Sequence, residues 1–198
     1  MIPAIRSTID AVLWLTITAA EQGLALQPLK LHRLMYLAQC HYAAQSKGQK
    51  LMPATFLATK YGPIEPTIYH LLEAGPPPVT GRRPKREIED FLEVLLRKYG
   101  HHSPEYLERE IRRDGAFVTV LDAYPNGEIP VSLMAKAYSQ NPQVRRIEVP
   151  KLSQDGRKVS SWRPKQVTPE SAEIVARPAR KPEGKASVRT GPRPAPGR

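Results

Sequence analysis

Apolar residues recur at helical spacing through roughly the first 140 positions and then cease to do so. Ile9, Val12, Leu13 and Ile17 form a first such set. Ser7 or Thr8 precedes it as a cap, a side-chain oxygen accepting from an orphaned backbone N–H. Gly23 ends the run. Pro28 opens a second helix, where a residue without an N–H costs nothing and its fixed φ already suits the helix. Leu31, Leu34, Met35, Ala38 and Tyr42 place one apolar stripe along it, and Gly48 marks its exit. Residues 51–60 read equally well as a short strand or a short helix. Gly62-Pro63 breaks the pattern, and Pro66 starts a third helix carrying Ile68, Tyr69, Leu71 and Leu72. Gly75-Pro76-Pro77-Pro78 stops that helix and predicts an exposed, extended loop over 75–83.

The clearest periodicity comes next in the chain. Ile88, Phe91, Leu92, Leu95, Leu96 and Tyr99 predict a helix over 85–99 with its acids near the start and Arg97 and Lys98 near the end, as the helix dipole favours. Gly100 is its expected stop. Ser103-Pro104 caps and opens another helix to about Arg113, a short piece spans Phe117–Leu121, and a last helix lies near Pro130–Tyr138. The apolar face of that last helix, Val131–Tyr138, either closes the core or makes a dimer. These elements describe a mainly α, compact multi-helix domain over residues 1–142, with a short β element near 51–60 or 144–152 left open.

Beyond residue 142 the composition changes. Eight of the 56 residues in 143–198 are proline, and large apolar side chains thin out. Such a stretch buries too little apolar surface to offset about 1–2 kcal/mol per ordered residue. A basic, Pro-rich, largely disordered tail is expected, with residues 170–198 its least ordered part. The formal charge of +11 is concentrated there: residues 1–142 carry 16 basic against 14 acidic side chains, residues 143–198 carry 14 against 5. The tail has three readings: sequence-blind binding of nucleic-acid phosphates, folding onto an acidic protein partner, or plain solubilisation. Trp162 is the one aromatic after Tyr138, which argues against a single-strand stacking platform.

Several function classes lose ground on spacing alone. Cys40 is the only cysteine, which rules out an internal disulfide and a cysteine-based zinc site and suits a reducing cytoplasm. The N-terminal apolar face is too short and too interrupted for a membrane span or a signal peptide. His32 and His41 are nine apart and point to opposite sides of a helix, and no His-x-x-x-His pair exists. Nucleotide-binding glycine loops and the Gly-x-Ser-x-Gly elbow are absent. Cys40 and His41 are helix neighbours pointing about 100° apart, not a nucleophile and its base. Catalytic residues, metal ligands and cofactors are therefore not expected, and the chain does not read as an enzyme.

Tyr61-Gly62-Pro63-Ile64-Glu65-Pro66 differs in kind. Glycine permits backbone that other residues resist, and the two prolines stiffen the chain after it. Such a turn either packs Tyr61 and Tyr69 beneath itself or presents Tyr61, Ile64 and Tyr69 to a partner at little entropic cost. Lys30 and Arg33 flank the same surface or form the solvated face of their helix.

Two blocks here resemble the Panacea domain, the SocA-like or GepA-like antitoxin domain of bacterial and phage toxin–antitoxin pairs. Leu29, Lys30, Leu31, Arg33, Leu34, Tyr36, Ala38 and Gln39 match the family's Leu-x-Lys-Leu-x-Lys-Leu-x-Tyr-x-Ala-Gln helix. Tyr61, Gly62, Pro63, Ile64, Pro66 and Tyr69 match its aromatic-Gly-Pro-Val-x-Pro-x-x-Tyr turn. Phe91 to Gly100, with Ser103 and Leu107, resembles its C-terminal helices, so the likeness covers roughly residues 8–140. Thr59 and the region of Phe117 lack the tryptophan common in the family, and Arg33 stands for a common lysine. The resemblance implies a helical, non-enzymatic antitoxin that neutralises a toxin encoded beside it, by direct contact or by delivery to a AAA+ protease. The partner-binding candidates it singles out are Lys30, Arg33, Tyr36, Tyr61, Gly62, Pro63, Ile64, Pro66 and Tyr69. The alternative is a phage- or mobile-element-associated nucleic-acid binder acting through the tail.

Overall fold

Helix α2 (Pro28–Gln45) lies at the centre of the molecule, and the other elements pack around it. The computed structural model describes residues 2–74, 81–140 and 147. Among them run α1 (Thr8–Glu21), α2, strands β1 (Leu57–Thr59) and β2 (Gly62–Ile64), then α3 (Pro66–Ala74), α4 (Arg86–Tyr99), α5 (Pro104–Arg112), α6 (Gly115–Ala123) and α7 (Val131–Gln140). The fold is mainly helical. No described helix is long and apolar enough to cross a membrane. Of the loop expected over 75–83, residues 81–83 are exposed and lie in neither helix nor strand, while 75–80, the candidate strand at 144–152 and the expected disordered tail fall outside the described residues, apart from Ile147.

Local chemistry sets most boundaries. The Ser7 hydroxyl accepts from Ile9 N–H at 3.2 Å and opens α1, and Ser103 does the same for Tyr106 at the start of α5. In α4 the buried residues are Ile88, Phe91, Leu92, Leu95, Leu96 and Tyr99, the stripe that its periodicity marks. Gly100 ends α4 in right-handed backbone, with φ −63°. Glycine is needed there for closeness: a Cβ would stand 2.5 Å from the Leu96 carbonyl oxygen. The face of α7 carrying Met134 and Tyr138 closes the core against α2.

Two expectations are corrected. The one-sided reading of α2 fails: its buried residues include Lys30, His32, Arg33, Gln39 and His41 as well as the apolar stripe, because α1, α4, α5, α7 and β2 surround it. The 61–64 segment is not a turn between helices. Residues 57–64 form a hairpin whose two-residue turn is Lys60-Tyr61, with Ala58 opposite Pro63 and Thr59 opposite Gly62. Residues 126–129 run along the other side of β1, where Ala58 N–H donates to Gly127 O at 2.9 Å and Ile129 N–H to Phe56 O at 2.8 Å. Strand β1 is thus paired on both sides, and β2, with its proline, takes the edge where a missing N–H is tolerated.

Four of the polar side chains buried on α2, His32, Tyr36, Gln39 and His41, each hold a different neighbour. His32 Nδ1 accepts from Glu65 N–H at 3.2 Å, and the Glu65 carboxylate accepts from Ile68 N–H at 2.7 Å to cap α3. Tyr36 donates to Asp114 Oδ2 at 2.6 Å, while Asp114 Oδ1 caps α6 through Ala116 N–H at 2.7 Å. Gln39 Oε1 accepts from Met52 N–H, and His41 Nε2 shares a hydrogen bond with the Tyr99 hydroxyl at 2.9 Å. A buried polar group without a partner costs about 1–3 kcal/mol, so these pairings tie the register of each element to α2.

Candidate partner-binding surface

The hairpin tip is held from below by arginines on two helices. Arg33 on α2 donates through Nη2 to the Tyr61 carbonyl at 3.0 Å and to Glu108 Oε2 at 2.7 Å. Arg112 on α5 donates through Nη2 to the Lys60 carbonyl at 3.0 Å and through Nε to Glu108 Oε1 at 3.0 Å. One carboxylate therefore aligns two guanidinium groups, and each guanidinium holds one carbonyl of the turn. The Arg33 side chain is 6% exposed and that of Glu108 28%. Such a pair is poor net stabilisation, because desolvation offsets its attraction, but losing one partner strands a buried charge. Its effect here is positional.

Gly62 is required by its backbone: its φ is +111°, outside the range comfortable for L side chains, while a Cβ there would only reach ordinary contact, 3.5 Å from Arg33 Nε. Thr59 knits the turn from inside: its hydroxyl accepts from Tyr61 N–H at 3.2 Å and donates to Gly62 O at 2.8 Å. An indole in place of Thr59 could make neither bond as the hydroxyl does.

This scaffold leaves the Tyr61 side chain in solvent. Tyr61 is 60% exposed, Tyr69 41% and Leu29 42%. Lys60 Nζ lies 4.9 Å from the centroid of the Tyr61 ring. Between the hairpin tip and the first turns of α2 and α5 runs an open groove of about 530 Å³. Pro28, Leu29, Tyr61 and Pro104 supply its apolar walls, Glu105 and Glu108 its carboxylates, and Arg33 and Lys60 its cations. A hydrogen bond from its own backbone N–H, and then one with Ser103, hold the Glu105 carboxyl below the usual range. On α3, the hydrogen bond to Glu73 pushes the Tyr69 hydroxyl up.

The residues singled out from sequence divide into two groups. Tyr61 and Tyr69 are exposed, and Ile64 and Pro66 are half-buried beside them. Lys30, Arg33, Tyr36, Gly62 and Pro63 are buried. Tyr36, with no exposed surface, is corrected from a partner contact to a core residue whose hydroxyl is committed to Asp114. Arg33 and Gly62 support the surface rather than form it. Burial lowers the pKa of Lys30, whose helix face is covered rather than solvated. Packing of both tyrosines under the turn, the plainer alternative, does not occur.

Glu108, Arg112 and Lys60 carry the tip, and sequence reasoning misses all three. Glu108 and Arg112 are legible as an i, i+4 pair on a helix. Nothing in the pattern connects them to Arg33, far earlier in the chain.

The histidines are separate. Burial pushes His32 down to about 4 and His41 to about 3, the latter aided by Lys98. Both rings are thus neutral and in the core. His102 stacks on Tyr106 with centroids 3.9 Å apart. Among the described residues no group of three or more His, Cys, Asp or Glu is placed to hold a metal ion. Compared with protein-family models, curated proteins and solved structures, the chain finds no match.

Proposed function

We propose that this chain is an antitoxin-like binding protein that neutralises a toxin protein, engaging it with the hairpin tip and the groove beside it. The observation that carries the reading is the exposed Tyr61, presented on backbone that Arg33 and Arg112 clamp through one shared carboxylate. An aromatic side chain on a pre-ordered support loses little freedom on binding, and such residues dominate interface energetics. The resemblance of the 28–39 and 61–69 blocks to the Panacea domain supplies the partner class. Neutralisation is then mass action: a toxin at a small multiple of the dissociation constant is already largely bound. Handing the bound toxin to a AAA+ protease is a second use of the same surface. The proposed setting is the cytoplasm, which the single cysteine suits.

The test is bacterial growth with the neighbouring open reading frame induced, with and without this chain, alongside co-purification. Restored growth with a co-purifying neighbour supports the reading. A harmless neighbour and no complex overturn it, and bring forward nucleic-acid binding by the basic residues of 143–198, read as affinity that falls steeply with salt.

A further inference from the structure

The groove has a composition of its own. Its walls are a tyrosine, a leucine and two prolines; at its rim Glu105 and Glu108 stand with Arg33, which is bound to Glu108, and with Lys60, whose ammonium lies over the Tyr61 ring. Glu108 is already shared between Arg33 and Arg112. Glu105 is exposed and in no ion pair with another described residue, so it is the acid open to a new cation. An aromatic and apolar trough with an acid at its edge is the chemistry that receives a proline-rich segment carrying arginine: proline rings lie against the apolar walls, and the guanidinium meets the carboxylate. Little chain entropy is lost, because prolines restrict the free segment in advance.

The chain contains such a segment. Pro192-Arg193-Pro194-Ala195-Pro196-Gly197-Arg198 alternates proline with other residues and carries two arginines. Reach permits the contact. Ile147 is 4% exposed, and the Gln45 amide, in the orientation that satisfies both groups, accepts from its N–H at 2.8 Å and donates to its carbonyl at 3.3 Å. The chain is thus tethered at the C-terminal end of α2, while the groove lies at the N-terminal end, about 27 Å away along 18 residues. The 45 residues from Ile147 to Pro192 span at most about 150 Å. A tethered ligand of this kind works at high effective concentration even when its intrinsic affinity is low.

We propose that Pro192–Arg198 is an intramolecular ligand of the groove between the hairpin tip and α5, which any protein partner using Tyr61 has to displace. The inference goes beyond the antitoxin reading and stands without it, because its test involves no toxin.

The experiment uses the full chain. Ser187→Cys provides a site for a nitroxide label, since Cys40, the only other thiol, has no exposed surface. Amide signals of Leu29, Tyr61 and Gly62 are expected to lose intensity that those of Glu87, Asp90 and Glu93 on α4 keep. The loss is expected to vanish in Tyr61→Ala and in Glu105→Arg, two exposed positions whose replacement leaves the core alone. Equal loss on both faces, loss concentrated on the acidic face of α4, or loss seen only between labelled and unlabelled copies in a mixture would each overturn the proposal. So would persistence of the groove signal in both variants.

Discussion

Helix α2 uses its buried polar side chains in two different ways at its two ends. Towards the C-terminal half, Tyr36 and His41 end in sealed partners: Asp114, which also caps α6, and the Tyr99 hydroxyl. Towards the N-terminal half, Arg33 ends on a carbonyl of a turn whose other side is solvent. Both junctions employ a carboxylate shared between two groups. One shared carboxylate lies in the core, the other beside an open groove. The interior junction fixes how helices assemble. The outer junction fixes where a short exposed segment stands. The same chemistry serves stability in one place and presentation in the other.

Acid should strain both halves, and this is the largest effect expected. His32 and His41 have folded-state pKa values of about 4 and about 3, below the 6.5 of the free side chain. As pH falls below about 6.5 the unfolded chain takes up protons that the folded chain refuses, so stability is lost down to about pH 4 for His32 and about pH 3 for His41. Together they remove about 3 kcal/mol between pH 6.5 and 5. Denaturant titrations across that range read the slope. His32→Gln and His41→Gln should each remove about half of it, and an unchanged slope in both would refute the assignment.

Asp114→Ala tests the interior junction. It removes the α6 cap and the acceptor of the Tyr36 hydroxyl together, at an expected cost of about 3 kcal/mol by chemical denaturation. Glu108→Gln tests the outer one. Stranding the half-compensated Arg33 charge should cost about 2 kcal/mol, less than for a fully buried pair because Glu108 is partly solvated. Here the discriminating readout is local: amide exchange at Tyr61 and Gly62 should accelerate more than at Ala116, whereas Asp114→Ala should reverse that order. Tyr61→Ala, finally, should change stability by no more than about 0.5 kcal/mol, because the side chain touches little of the core.

Legibility tracks the range of the interactions. The α4 stripe, the Ser7 and Ser103 caps and the prolines opening α2, α3 and α5 act within a few residues, so pattern alone marks them. The hairpin escapes a sequence reading because Gly62-Pro63 is a strong local breaker, whereas its strand geometry depends on Ala58 being paired also with residues 126–127. The burial of Lys30, Arg33 and Tyr36 is equally hidden. A one-stripe helix and a central helix share the same apolar positions, and they differ only in whether distant acids and carbonyls meet the polar ones. At the surface, Tyr61 and Tyr69 are legible as candidates, but the Arg33–Glu108–Arg112 support is not, since it joins α2, α5 and a turn.

The claim that the hairpin tip is the working surface is tested most directly by comparing two exposed tyrosines in one binding assay. Tyr61 is 60% and Tyr124 74% exposed, and Tyr124, at the end of α6, is not part of the Arg33–Glu108–Arg112 clamp. The dissociation constant of the co-purified partner should rise at least about tenfold in Tyr61→Ala, corresponding to about 1.4 kcal/mol, and stay unchanged in Tyr124→Ala. Equal affinities for Tyr61→Ala and the unaltered chain would contradict the account.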